Sequence, residues 1–416
     1  MLRKLTMVSM AALLAVGLGG CSKEPASSPG SGDGNSSSAA SSDAAPVVME
    51  LSLPKAATEA LDAAGLAKAQ ALLNGGISYL LSQREADGGW SFGGGAMKPA
   101  LTGLVLKCLL GHSDFDRNHP IVKQAIATML SYRQPDGAIF NPEEGQQAYT
   151  TAIAVMALAV ANDPQYKAAM DGGVNYLKGI QIVPGQESPD GDKIAEGDPN
   201  IGGVGYGKNK TPNLSVLHFA VEAWHDAGVP ADDEAMQKAV GFLTRLQNRS
   251  ESNPMPFAKE GSNDGGFVYD MGSSKAGQAV GGGKRSYGSM TYAGFKSMLY
   301  AGVSKDDPRV RAGYDWIRRY WRLDSNPNMP AEQSKEGVFY YYMLFARALQ
   351  ALGRDEIVDF KDKNVTHNWR VELVNKLNEV VQPNGSWVNE TSRWQEKSPT
   401  LVTCYTVMAL EDALKK

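Results

Sequence analysis

One phrase, written several times, constrains this chain more than any other feature. A helical-looking stretch closes on Gln, passes through a turn with glycine and arrives at an aromatic or apolar residue. SQREADGGW (82–90) and VVQPNGSW (380–387) show it most fully, and SYRQPDGAIF (131–140) and SNDGGFVYD (262–270) keep parts of the same order. An internal echo of this kind identifies a repeat architecture before any single element is assigned. The helical part carries an aromatic or aliphatic residue or pair: Tyr79-Leu80 before Gln83, Leu130 before Gln134, Tyr176-Leu177 before Gln181, Phe242-Leu243 before Gln247, and Leu377 before Gln382. Another copy has Trp316-Ile317 but puts Tyr320-Trp321 where Gln is expected.

A second half follows each time, with Thr or a substitute, five residues, a small residue and a large apolar one. The copies are Thr102 with Cys108-Leu109, Thr151 with Ala157-Leu158, Thr291 with Ser297-Met298, Tyr342 with Ala348-Leu349, and Thr403 with Ala409-Leu410; Leu217 with Ala223-Trp224 is the loosest. Gly228, Gly302 and Gly353 close three of them, a helix C-terminus signal. Leu73, Ile77, Leu80 and Leu81 fall on one helical stripe, and Ile153, Met156, Ala157 and Val160 on another. Six helix pairs result. A unit of roughly 50 to 70 residues cannot bury its own face, so each needs neighbours on both sides, and six pairs can close into a ring with the second helices inside.

Gln, a turn with Gly, then Trp resembles the QW-type repeat of the prenyltransferase and squalene-oxidase repeat family, which includes squalene and hopene cyclases and the β subunits of protein prenyltransferases. The resemblance runs from about residue 56 to the end and implies an all-α fold, an α6/α6 toroid, over 56–416. The tracts GSMTYAGFKSMLYAG (288–302), EGVFYYYMLFARALQALG (336–353) and NGSWVNETSRWQEKSPTLVTCYTVMAL (384–410) are most similar to small secreted bacterial members. The phrase itself has a structural job. Gln satisfies backbone groups left unpaired at a helix end, Asp-Gly or Asn-Gly permits a sharp reversal, and Trp clamps the junction. Asp87, Asp136, Asp264 and Asn384 are therefore expected to be turn residues rather than catalytic acids.

The chemistry that the resemblance implies is hard to place on these residues. Cyclases of the family that protonate a terpene use a DxDD acid ahead of an inner helix, because an alkene is a poor base. The matching stretches are MKPALT, GQQAYT, KTPNLS, YGSMT, EGVFYY and KSPTLVT, none of them DxDD. Asp232-Asp233 and Asp306-Asp307 precede outer helices, where they are expected to cap. The family's prenyltransferases hold zinc partly through a His before Thr-Cys-Tyr; here Thr403-Cys404-Tyr405 is kept but Val402 stands at the His position, so no metal or cofactor is implied. The register of the copies sets Cys108 and Cys404 five positions apart, about 7.5 Å along a helix, which argues against a disulfide.

Several residues remain as candidates for binding. Lys284, Arg285 and Tyr287 lie in a glycine-rich loop ahead of an inner helix, an arrangement that can take an anion; the alternative is a solvated loop. Asp270 lies in the loop before them. Tyr149, Tyr292, Tyr341, Tyr342 and Trp394 are candidates for the wall of a central funnel, or for core positions. His218, Glu222 and His225 share a helix face, spaced for a polar face or core hydrogen bonding more than for a metal. Lys107, Lys296 and Arg347 occupy the position of Glu222 in other copies; they could converge on an anion, but an outward-facing belt of charges is expected.

The N-terminus points to export. Met1 to Lys4 is basic, Leu5 to Leu18 is apolar but short for a membrane span, and Leu18-Gly19-Gly20-Cys21 resembles a lipoprotein lipobox, with Cys21 as the lipidated residue. Residues 1–20 are then a signal peptide and 21–55 a Ser/Gly/Ala-rich tether, whose composition from 22 to about 46 gives a reach of roughly 30 Å. Lipid would hold the protein at the envelope membrane. Without Arg3 and Lys4, the 41 basic and 45 acidic residues become 39 and 45, a net charge of −6, which disfavours nucleic acid. Two classes of function remain: a binding or scaffold lipoprotein holding an apolar or isoprenoid ligand, and an enzyme with a rewired site, acting on isoprenoids or carbohydrates. The missing acid and zinc ligand favour binding, with no protein partner identified.

Overall fold

The computed structural model describes residue 51 and residues 59–188 and 190–415. The signal peptide, Cys21, most of the tether and the start of the domain at 56 lie outside the described residues. The six helix pairs run from α1 to α13. The outer helices are α1 (Ala63–Ser82), α3 (Pro120–Leu130), α5 (Lys167–Gly179), α7 (Glu234–Leu246), α10 (Pro308–Arg319) and α12 (Trp369–Glu379). The inner helices are α2 (Lys98–Gly111), α4 (Gln147–Ala161), α6 (Leu214–Asp226), α9 (Gly288–Tyr300), α11 (Val338–Leu352) and α13 (Pro399–Leu414). A short α8 (Pro256–Glu260) sits in the loop before α9, and a two-stranded antiparallel ribbon, β1 (Glu356–Val358) with β2 (Thr366–Asn368), leads into α12.

Local sequence explains where these helices begin and end. Asp62, Asn213, Asp233 and Asp307 accept a backbone N–H of the first turn that follows them, and Pro120, Pro308 and Pro399 occupy first-turn positions where no donor is needed. Asp233 and Asp307 thus cap outer helices, as their position in the sequence implied. The inner helices are buried almost all round, which an element enclosed on every side requires. The contacts close a ring: α2 packs on α4, α4 on α6, α6 on α9, α9 on α11, α11 on α13, and α13 on α2. Each outer helix also leans on the inner helix before it, and α1 leans on α13. This is the expected α6/α6 toroid.

The repeated phrase forms the joints. Asp87, Asp136, Asp264 and Asn384 each accept the backbone N–H two residues on, at 3.0 to 3.1 Å, so all four are turn residues. The Thr that marks the second half has a matching job. Thr102, Thr151, Thr291 and Thr403 accept the backbone N–H of Trp90, Ile139, Phe267 and Trp387 at 3.0 to 3.2 Å, tying each turn to its inner helix. Trp90 and Trp387 are fully buried and donate their indole N–H to Leu80 and Leu377, ten residues back. Gln181 and Gln247 bridge the turn to the next outer helix, donating to Gly202 and Ala235 and to Gly265 and Arg309. Among the described residues, no helix is long and apolar enough to cross a membrane.

Candidate functional site

The axis of the ring is layered, and the layers follow the repeat register. Five residues after each marker position stand Lys107, Met156, Glu222, Lys296, Arg347 and Met408, and all six line one small space on the axis together with Leu104, Phe219, Met343 and Leu344. The cavity left between them is ≈ 10 Å³, room for about one water molecule. The ring is therefore closed at this level.

The charges expected on an outward belt face the centre instead. Glu222 receives Lys107 at 2.7 Å, Lys296 at 2.5 Å and Arg347 at 3.4 Å, while Lys107 also reaches Asp226 at 3.3 Å and Arg347 reaches Asp412 at 2.7 Å. The anion on which the three cations converge is the protein's own carboxylate. Burial works to raise the pKa of Glu222, but Lys107, Lys296 and Arg347 outweigh it and hold the carboxyl well below the usual range. Charges so far from water persist only when paired, and the ring supplies a partner from a different inner helix for each.

Above this ionic layer, toward the N-terminal ends of the inner helices, four aromatic side chains form a collar. Tyr149 of α4 meets Phe219 of α6 edge-on at 5.0 Å, Phe219 faces Tyr340 of α11 at 6.4 Å, and Tyr340 faces Tyr405 of α13 at 5.7 Å. Tyr405 and Tyr149 also interact with each other, which closes the loop. Tyr149 and Tyr340 are half-buried, whereas Phe219 and Tyr405 are almost wholly enclosed. Behind the collar, His218 contacts the Tyr340 hydroxyl through Nε2 and Lys296 through Nδ1, the latter at 3.2 Å. Burial, reinforced by Lys296, pushes the His218 imidazole well below its usual range, so it is neutral. Burial pushes the Tyr340 phenol well above its usual range, and that of Tyr149 to about 12.

The rim is held by a second system of bonds. The entry to each of five inner helices is tied to the loop leading to the next inner helix around the ring. Glu144 accepts from Met97 ahead of α2, the Tyr206 carbonyl from Ala148 in α4, and the Tyr269 carbonyl from Leu214 in α6. Pro327 and Asn326 accept from Gly288 and Ser289 in α9, and Glu396 accepts from Phe339 and Tyr340 in α11. Glu396 is fully buried and also bonded by Asn389; burial outweighs these donors and lifts its carboxyl to about 7.

Of the sequence candidates, only Tyr149 belongs to the collar. Tyr292 and Tyr341 meet at 5.4 Å and pack with Phe345 between the helix layers, because they stand on the outward side of their helices. Tyr341 and Tyr342 donate to the Arg322 and Leu323 carbonyls rather than facing the axis. Trp394 is at the rim, 40% exposed, under the Arg393 guanidinium and over Gly337. Lys284 donates to the Met271 carbonyl and sits 4.2 Å from the Phe257 ring centre. Arg285 is pinned through its backbone to Ser274 and Gly277, and Tyr287 is buried at the start of α9. The N–H groups there are already taken by Pro327 and Asn326, so these three residues do not assemble the anion site. Asp270 accepts from Gly272 and Ser273 within its own turn.

His225 stacks on Tyr300 at 4.1 Å at the exposed end of its helix, away from the core pair His218 and Lys296. Cys108 and Cys404 are neighbours across the α2–α13 seam, with the Cys108 Sγ 3.5 Å from the Cys404 carbonyl, both buried and free.

Sequence reasoning missed Phe219, Tyr340, Tyr405, Glu144 and Glu396. The first was within reach, three residues before Glu222 on the same face, and Tyr340 lies seven before Arg347, two helical turns. The two glutamates belong to loops without a repeat period.

No family model matches the sequence, and no curated relative matches it. Solved structures do. Two of them are variants of the type II terpene cyclase MstE from Scytonema, each in complex with the substrate geranylgeranyl dihydroxybenzoate. Both are 13% identical, with TM-scores of 0.51 and 0.50, over 85% and 84% of this chain and 99% of that chain. The likeness is one of fold: the chain is a terpenoid-cyclase-like toroid.

Proposed function

We propose that this protein is an exported lipoprotein whose toroid binds an apolar, isoprenoid-type ligand at the mouth above the aromatic collar. The observation that carries the reading is the pairing of a half-buried aromatic floor, Tyr149 and Tyr340, with an axis closed beneath it. Such a floor offers flat apolar surface to a hydrocarbon chain and phenols to its polar end. The lipobox at Cys21 motivates the envelope location.

Protonation chemistry is not what this arrangement favours. The carboxyl at the centre, Glu222, is ionised and engaged by three cations, and Glu396 is committed to backbone donors of α11. Neither is a free acid aimed at an alkene. Native mass spectrometry of the detergent-purified protein tests the reading: a co-purified apolar lipid, displaced by added prenyl compounds, is expected. Turnover of squalene or of a prenyl diphosphate by the purified protein would replace the binding reading with a catalytic one.

A further inference from the structure

The polar end of the ligand can be specified further, given the binding reading above. We propose that it is a single uncharged oxygen, a hydroxyl or a carbonyl, that accepts a hydrogen bond from the Tyr340 phenol, and that a prenyl diphosphate is disfavoured at this mouth.

Three observations lead there. A diphosphate needs unpaired cations or free helix N-termini, and the axial cations are all paired. Lys107, Lys296 and Arg347 face Glu222, Asp226 and Asp412, three formal charges against three, in ion pairs of 2.5 to 3.4 Å. The inner helices do turn their N-terminal ends toward the mouth, but Glu144, Tyr206, Tyr269, Asn326 with Pro327, and Glu396 take one or two of the N–H groups at the entry of five of them. At the rim, Arg393 is paired with Glu336 and laid over Trp394.

What the mouth does offer is an oriented hydroxyl donor. A lysine ammonium only donates, so the 3.2 Å contact from Lys296 makes His218 Nδ1 the acceptor and places the imidazole proton on Nε2. Nε2–H then donates to the Tyr340 oxygen. Because Nε2–H is the donor in that contact, the Tyr340 O–H is left to give to a group above the collar. Tyr149 stands on the opposite wall of the collar. His218 is the positioning residue in this relay.

The test compares three probes on the full-length protein in detergent: geranylgeraniol, geranylgeranyl diphosphate and the parent hydrocarbon, with affinities from native mass spectrometry. The alcohol is expected to bind about tenfold more tightly than the hydrocarbon, the worth of one good hydrogen bond, and more tightly than the diphosphate. Tyr340→Phe should abolish the alcohol's advantage over the hydrocarbon, with the helical circular dichroism unchanged. His218→Leu should reduce that ratio, and His218→Gln, which keeps a donor, should restore it. Diphosphate binding as tight as that of the alcohol, or an alcohol advantage that survives Tyr340→Phe, overturns the inference and leaves the binding reading standing. Failure of all three probes to bind overturns both.

Discussion

Gly385, in the turn after the last outer helix, rests on the backbone of Gly75 in the first. Its φ is +80°, and a Cβ built there would stand 2.7 Å from the Gly75 carbonyl oxygen. The same relationship recurs inside the ring, where a Cβ on Gly137 (φ +92°) would stand 2.6 Å from the Gly172 carbonyl. The seam between the sixth unit and the first is thus built like an ordinary joint between neighbours. Gly385→Ala is expected to cost about 1–3 kcal/mol through backbone strain and displacement, and Gly137→Ala about as much. Urea unfolding of both variants checks this, and an unperturbed Gly385→Ala would mean that the ring is not tightly closed.

The fold was legible because the sequence states it six times. Thr102, Thr151, Thr291 and Thr403 marked equivalent inner helices, although their bond to the turn backbone could not be seen without coordinates. The axial layer was legible as a register and misread in direction. Lysine, arginine and glutamate usually face water, and nothing local to Glu222 reveals that Lys107 and Lys296, 115 and 74 residues away, meet it. The rim escaped for a different reason. Glu144 and Glu396 work through loop conformations that carry no period, so only the three-dimensional path of the chain brings them to their helices.

Glu222 is expected to be the most sensitive position on the axis. Glu222→Gln keeps the shape but leaves Lys296 and Lys107 buried without their main counter-charge, and the loss should be about 3–5 kcal/mol. Pairing Glu222→Leu with Lys296→Met should recover part of it, because removing both partners also removes the desolvation cost. Denaturant midpoints of the single and double variants decide the matter; a single variant as stable as the parent would show that the ionic layer does not hold the ring.

Membrane attachment is expected to depend on one side chain outside the toroid. Cys21→Ser should move the protein from the membrane fraction to the soluble fraction with its helical circular dichroism intact, since no described helix can span a bilayer. Retention of the variant in membranes would place the attachment on some surface of the toroid itself.

Glu411 should make stability depend on pH in the direction opposite to an ion-paired carboxylate. Its side chain is buried against Gly111, its Oε1 has no hydrogen-bond partner, and burial, aided by Asp412, lifts its carboxyl from 4.5 to about 8. The folded state therefore holds this proton more tightly than the unfolded chain does. Between about pH 4.5 and 8 the unfolded chain has lost the proton while the folded one keeps it, so the unfolding free energy falls as pH rises through that window. Glu411→Gln cannot ionise and escapes this loss. The two proteins should be nearly equally stable at pH 5, and at pH 8 the variant should be the more stable by about 1–3 kcal/mol, after allowing for relaxation of a buried site. Urea denaturation across that range measures the difference directly, and a stability gap that does not widen with pH would mean that Glu411 is ionised in the folded protein and has found a counter-charge.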